Sequence, residues 1–106
     1  MIEDKRERLL AEVLKALAFP TRIKILYLLK GKELCGCEIA PALGCEQSNI
    51  SRHLAVLTRA GLVIPERRGV SVYYRVSDPV VFELLKLVDK LLEKNRSQLG
   101  GISVVF

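Results

Sequence analysis

A short helix, a glycine turn and a longer helix with a small, basic outer face, followed by two extended runs carrying paired arginines, predict a mainly α fold with a β-hairpin wing. That order is helix-turn-helix-wing. Two amphipathic helices flank this winged helix-turn-helix, and their apolar surface exceeds what one small domain can bury. They predict a homodimer sealed by the N- and C-terminal helices. At 106 residues the chain has room for one hydrophobic core, so 1–106 reads as a single domain.

Each element follows from its local pattern. In residues 3–18, EDKRERLLAEVLKALA, Leu9, Leu10, Val13, Leu14 and Leu17 share one helical stripe, with acids early, where the helix dipole favours them. Phe19, Pro20 and Thr21 interrupt it, Pro20 suiting a first helical position. TRIKILYLLK is then apolar on nearly every side until Gly31, as a buried central helix would be. Glu38 to Leu43 allows little more than one short helix before Gly44, which suits a left-handed turn. EQSNISRHLAVLTRA sets Ile50, Leu54 and Leu57 on a narrow stripe, opposite Ser48, Ser51, Arg52, Ala55 and Arg59. After Gly61, VIPERR and SVYYRV read as two strands joined by a glycine turn, with Val72, Tyr74 and Val76 alternating against Ser71, Tyr73 and Arg75. Asp78 and Pro79 make a cap and first-position pair for VVFELLKLVDKLLEKN, which carries nine apolar residues. The pattern assigns no role to the apolar tail, 100–106.

Composition narrows the function. No apolar run approaches the roughly 20 residues needed to cross a bilayer, and the charged start lacks a signal-peptide apolar region, so a cytoplasmic location without membrane partners is expected. The net charge of +5 fits an anionic partner or merely a small protein kept soluble, and it is uneven, since residues 77–106 are neutral with four basic and four acidic side chains. No Ser/His/Asp set, carboxylate pair or βαβ pattern suggests catalysis, and the chain is not expected to be an enzyme.

The helix-turn-helix-wing order suits duplex DNA. Its second helix can enter the major groove, where Gln47, Ser48, Asn49, Ser51, Arg52 and His53 supply groups able to read base edges. Arg67 and Arg68 on the wing, with Arg75, supply charge for phosphate. His53 also flanks the buried stripe, which leaves a packing role open, as a capping role is for Ser48 and a solvated charge for Arg59. Arg67 and Arg68 can equally be solvated charges at a hairpin tip.

Cys35, Cys37 and Cys45 lie within eleven residues. In a reducing compartment a disulfide framework is not expected, and the spacing lacks the paired Cys-x-x-Cys units of a structural zinc site. At the start of a short helix, unsatisfied N–H groups favour thiolate over thiol. Two sulfurs two residues apart in a non-helical lead-in can meet at one centre, and paired thiolates select thiophilic ions, while the other reading open is that both are small, semi-buried residues capping the helix. Cys45, about 9 Å farther along that helix, is read as structural.

Over about residues 10–95 the chain resembles the ArsR/SmtB metal-sensing repressors of bacteria and archaea. The resemblance rests on ALAFPTRIKIL, ELCGCE, SNISRHLAVLTRAGLV and RRGVSVYYRV. It implies a dimeric transcriptional repressor on a near-palindromic, double-stranded operator, with residues 47–53 in the major groove and the hairpin beside it. ELCGCE resembles the ELC-x-C-D motif of the arsenic-responsive members, which implies trivalent arsenic or antimony, or another thiophilic ion, as inducer at Cys35 and Cys37, with no obligatory cofactor. The further cysteine often found three residues after the second is Ala40 here. Zinc sites on the last helix of related sensors use paired Asp and His, but the only histidine is His53. Phe19 stands where the family usually has a capping Asp, a loss of about 1 kcal/mol in typical hosts that packing of Phe19 can offset. A thiol-redox regulator of the same fold is the alternative, because Cys35 and Cys37 can also close a disulfide.

Overall fold

A computed structural model describes residues 4–99. The elements run α1 (Asp4–Leu17), α2 (Pro20–Leu28), β1 (Leu34–Cys35), α3 (Gly36–Leu43), α4 (Gln47–Arg59), β2 (Val63–Arg68), β3 (Ser71–Val76) and α5 (Val80–Leu99). The predicted helices are all present, and the apolar tail at 100–106 lies outside the described residues.

The core forms where α2, α3 and α4 meet. Ile25, Leu26 and Leu29 of the α2 segment, Ile39 and Ala40 of α3, and Ile50, Leu54 and Leu57 of α4 are all buried there. Full burial of each large aliphatic side chain contributes about 1.5–3 kcal/mol, so this cluster fixes the angle at which α4 leaves α3. Between them, Gly44 takes a left-handed φ of 65° and closes α3, its N–H reaching back to the Pro41 carbonyl. A residue with a Cβ would be strained there.

The wing departs from the two-stranded expectation. Leu34 and Cys35 form an extra strand, and the sheet order is β1-β3-β2, antiparallel throughout. Leu34 pairs with Tyr74 and Cys35 with Tyr73. Two residues are too few to show an alternating pattern, so only the partner strand reveals them. Between β2 and β3, Arg68 pairs with Ser71 across a two-residue turn, Gly69 and Val70. Gly69 alone has a positive φ, 63°, as a type II′ hairpin turn requires at its first position.

The helix ends follow local chemistry. Asp78 Oδ1 accepts the Val80 N–H at 2.9 Å, the cap expected for α5. Phe19 offers α2 no side-chain cap, but Pro20 sits in its first turn and the Arg22 guanidinium lies 4.0 Å from the Phe19 ring centre. Phe19 itself is 47% exposed, so its contacts are with Arg22 and His53 at the surface and not with the core.

α1 and α5 bury little. Leu9, Leu10 and Leu14 of α1 and Leu87, Val88, Leu91 and Leu92 of α5 are 47–62% exposed. Among the residues whose burial is described, only Ala16 and Leu17 of α1, and Val81 and Leu85 of α5, are buried. No helix among the described residues is long and apolar enough to cross a membrane.

Candidate nucleic-acid interface and thiol site

The outer face of α4 is built by subtraction. Once Ile50, Leu54 and Leu57 enter the core, Gln47, Ser48, Asn49, Ser51, Arg52, Ala55 and Arg59 are left exposed. The face is small enough to let a groove edge approach and carries donors and acceptors along its N-terminal half, where recognition helices meet bases. Five of the six predicted base-reading residues thus lie on one open surface.

His53, the sixth, is placed differently. It is half-buried, its Nδ1 accepts a hydrogen bond from Arg22 Nε at 3.1 Å, and its ring centre lies 5.9 Å from that of Phe19. Because Nδ1 accepts, the neutral ring carries its proton on Nε2. Burial, then the charges of Arg22 and Arg52, hold its pKa below the ordinary value of 6.5. Arg22 also donates to the Lys15 and Ala16 carbonyls at 3.4 and 3.3 Å, so one guanidinium ties α4 to α2 and to the end of α1. The residues are 31 apart in sequence, and no local signal pairs them.

The wing arginines divide as well. Arg67 is exposed and its side chain has no hydrogen bond or ion pair among the described residues. Arg68 Nη2 meets Glu33 Oε1 at 2.7 Å and Glu66 Oε1 at 3.0 Å, and its guanidinium lies 4.8 Å from the Tyr73 ring centre. The two carboxylates raise its already high pKa. Alternation along β2 sends the neighbouring arginines to opposite faces.

At the start of α3 the two predicted sulfurs come together as a disulfide between Cys35 and Cys37, with Cα atoms 5.1 Å apart. The link closes one turn and ties no distant segments, so it is not the framework that the sequence argued against. Cys37 lies inside the first turn of α3, not in a non-helical lead-in, and only Cys35 precedes the helix. Cys35 is the N-cap: its Sγ accepts the Cys37 N–H at 2.9 Å, while Glu38 Oε1 accepts the Cys35 N–H at 2.9 Å. This reciprocal pair is a capping box with sulfur in the place of the usual hydroxyl. Cys35 is buried and Cys37 exposed.

Gly36 between them is buried, and a Cβ there would lie 3.3 Å from Gln47 Nε2, 3.8 Å from a Leu54 methyl and 3.9 Å from the Tyr74 ring. The start of α3 is therefore seated directly on α4 and β3. Cys45 stands beyond α3, after Gly44, half-buried against the core with its thiol 3.5 Å from the Leu43 carbonyl. It is not farther along α3, as the helical count suggested. No group of three or more His, Cys, Asp or Glu side chains among the described residues could hold a metal ion.

Comparison with known proteins follows the same lines. A family model described as bacterial regulatory protein, arsR family, matches residues 20–64. An uncharacterized HTH-type transcriptional regulator of Methanocaldococcus jannaschii is 42% identical over 82 residues, covering 76% of this chain and 92% of its own. The arsenical resistance operon repressor of Escherichia coli is 39% identical over 80 residues, 74% of this chain and 68% of that repressor. The homodimeric winged helix-turn-helix DNA-binding domain of a possible ArsR-family transcriptional regulator from Mycobacterium bovis matches with a TM-score of 0.78 at 31% identity, covering 98% of this chain and 94% of that chain.

Proposed function

The chain belongs to the arsR family of DNA-binding transcriptional regulators and is not an enzyme, and from that premise we propose that it is a homodimeric repressor released from its operator by a thiophilic ion at Cys35 and Cys37. The observation that supports this reading most is the seat of the cysteine pair, at the first turn of a helix whose start touches α4 through Gly36. The arsenical resistance repressor among its relatives makes arsenic the expected signal, and trivalent antimony, a thiophilic ion of the same kind, is the nearest substitute at paired thiolates.

On the DNA side, Gln47, Ser48, Asn49, Ser51 and Arg52 read the major groove, and Arg67 meets phosphate. His53, held by Arg22, sets the tilt of α4 more than it reads a base. The exposed apolar faces of α1 and α5 bring two copies together, so two recognition helices address two half-sites.

On the signal side, the reduced pair reacts with arsenous acid by forming two As–S bonds in place of two As–O bonds, and the two thiol protons leave with the hydroxides as two waters. Ala40 offers no third sulfur, so the remaining arsenic ligand comes from solvent or a free thiol. The bound ion fixes both sulfurs at one centre and so turns residue 36 against Gln47. A differential binding energy of about 1–3 kcal/mol weakens operator binding by about 5- to 150-fold.

The disulfide favours one second reading, a redox switch at the same place. Peroxide takes two electrons from the two thiols, forming one S–S bond and two waters, and the product cannot hold the ion.

Fluorescence anisotropy of the reduced protein on its own upstream DNA, titrated separately with arsenite, antimonite, zinc, cadmium and peroxide, separates these readings. Release by arsenite or antimonite alone, lost in the Cys35→Ser/Cys37→Ser double variant with basal affinity unchanged, is the expected result. Release by peroxide alone supports the redox switch. Release that persists in the double variant removes the site, and the absence of DNA binding under every condition overturns the reading.

A further inference from the structure

Glu33, Leu34 and Cys35 are joined to the wing by more than proximity. Leu34 and Cys35 are laddered onto Tyr74 and Tyr73 of β3, and the residue before them, Glu33, is held at 2.7 Å by Arg68 of β2. Arg68 also leans over Tyr73, the ladder partner of Cys35, at 4.8 Å. Backbone pairing on one side and an ion pair on the other therefore bracket the thiol segment. α3 leads from the same cysteines to α4, so the site has two mechanical exits.

We propose that Arg68 is a positioning residue that clamps the thiol segment to the wing, so that a change of state at Cys35 and Cys37 moves the hairpin tip as well as the recognition helix. The proposal deepens the reading of the cysteine pair as the signal site and rests on it for its regulatory meaning. It also separates two adjacent arginines of the same charge. A phosphate approaching Arg68 meets a guanidinium already facing Glu33 and Glu66, at 2.7 and 3.0 Å, and has to displace a carboxylate or accept its repulsion. Arg67, one residue earlier on the other face of the strand, has no such partner among the described residues. Arg67 is the wing's phosphate ligand and Arg68 its link to the sensor.

The test compares Arg68→Gln, Glu33→Gln and Arg67→Gln with the parent chain. All three positions are exposed, so the variants keep the core. In ¹H–¹⁵N spectra without DNA, the Gly69 and Val70 amides of the parent are expected to shift between the dithiol and disulfide forms. That shift shrinks in Arg68→Gln and Glu33→Gln and persists in Arg67→Gln. On operator DNA, the dependence of affinity on salt falls by about one unit of slope in Arg67→Gln and stays at the parent value in Arg68→Gln. The ratio of affinities without and with arsenite falls by about two- to fivefold in Arg68→Gln and Glu33→Gln, the scale of an exposed ion pair.

Wing amides that stay still in the parent, or that move equally in all four proteins, overturn the coupling. A salt slope that falls in Arg68→Gln as it does in Arg67→Gln overturns the division of labour. Wing amides that move while neither arsenite nor peroxide releases DNA leave the clamp standing and fault the reading of the pair as a signal site.

Discussion

α4 and α5 are both amphipathic, and they resolve the same problem in opposite ways. α4 buries its three stripe residues, Ile50, Leu54 and Leu57, within its own chain and presents small polar and basic groups outward. α5 buries Val81 and Leu85 at its start and leaves Leu87, Val88, Leu91 and Leu92 open. A helix whose large apolar residues are used internally has a face free for a polar ligand. One with apolar residues left over needs a partner of the same kind, and α1 offers the matching surplus.

Substitutions can break this contrast at either end. The largest effect is expected from Leu87→Glu combined with Leu91→Glu, which places charge on the unpartnered face without touching the core. Sedimentation should show a monomer, and operator affinity should drop by about 10²- to 10⁴-fold as the second half-site contact is lost. Retention of a dimer would move the interface off α5. Next comes Leu54→Ala on the buried stripe of α4, expected to lower stability by about 2–5 kcal/mol. The shift in urea midpoint measures it, and a loss below about 1 kcal/mol would mean that the α3–α4 seat is loose. On the open face of the same helix, Arg52→Ala should leave that midpoint unchanged. Its cost is about 1–3 kcal/mol of DNA affinity, with relaxed preference at one operator position if Arg52 reads a base. Uniform weakening over all sequences would make it a phosphate contact instead.

The smallest effect concerns His53. Its folded pKa is depressed, so below the unfolded value of 6.5 the unfolded chain binds more protons than the folded one. The contribution of the neutral ring is complete above 6.5 and is lost as pH falls through the folded value. Melting temperature should therefore decline more steeply between about pH 7 and 5 in the parent than in His53→Gln. Parallel declines would show that His53 takes up its proton at the same pH in the folded and unfolded chain.

The helices, the glycine turns and the hairpin are legible because each rests on local periodicity and punctuation. α4 is the clearest case, since its stripe and its open face are two readings of one period. β1 is illegible for the opposite reason: Leu34 and Cys35 become a strand only because Tyr73 and Tyr74 lie beside them. The same holds at the site. Gln47, Ser48, Asn49, Ser51 and Arg52 can be picked from helix phase alone, whereas the tie of His53 to Arg22 and that of Arg68 to Glu33 span 31 and 35 residues. Sequence spacing brought Cys35 and Cys37 together correctly, but missed that Cys37 is already helical. Capping by Cys35 is among the readings the sequence leaves open, but its partner Glu38 is not, because capping boxes are usually read from Ser or Thr with Glu.

Gly36 bears on how such a protein can diversify. Cys37 is exposed, so its side chain can be exchanged without disturbing the core, and the chemistry at that position is free to drift. The residue between the cysteines is not. Alanine there requires Gln47 to give way, and anything larger must displace Leu54 or Tyr74. Over many generations of substitution the outer position can change far more easily than the seat beneath it, and a library randomised at 36 and 37 should return a narrow choice at the first position and a broad one at the second.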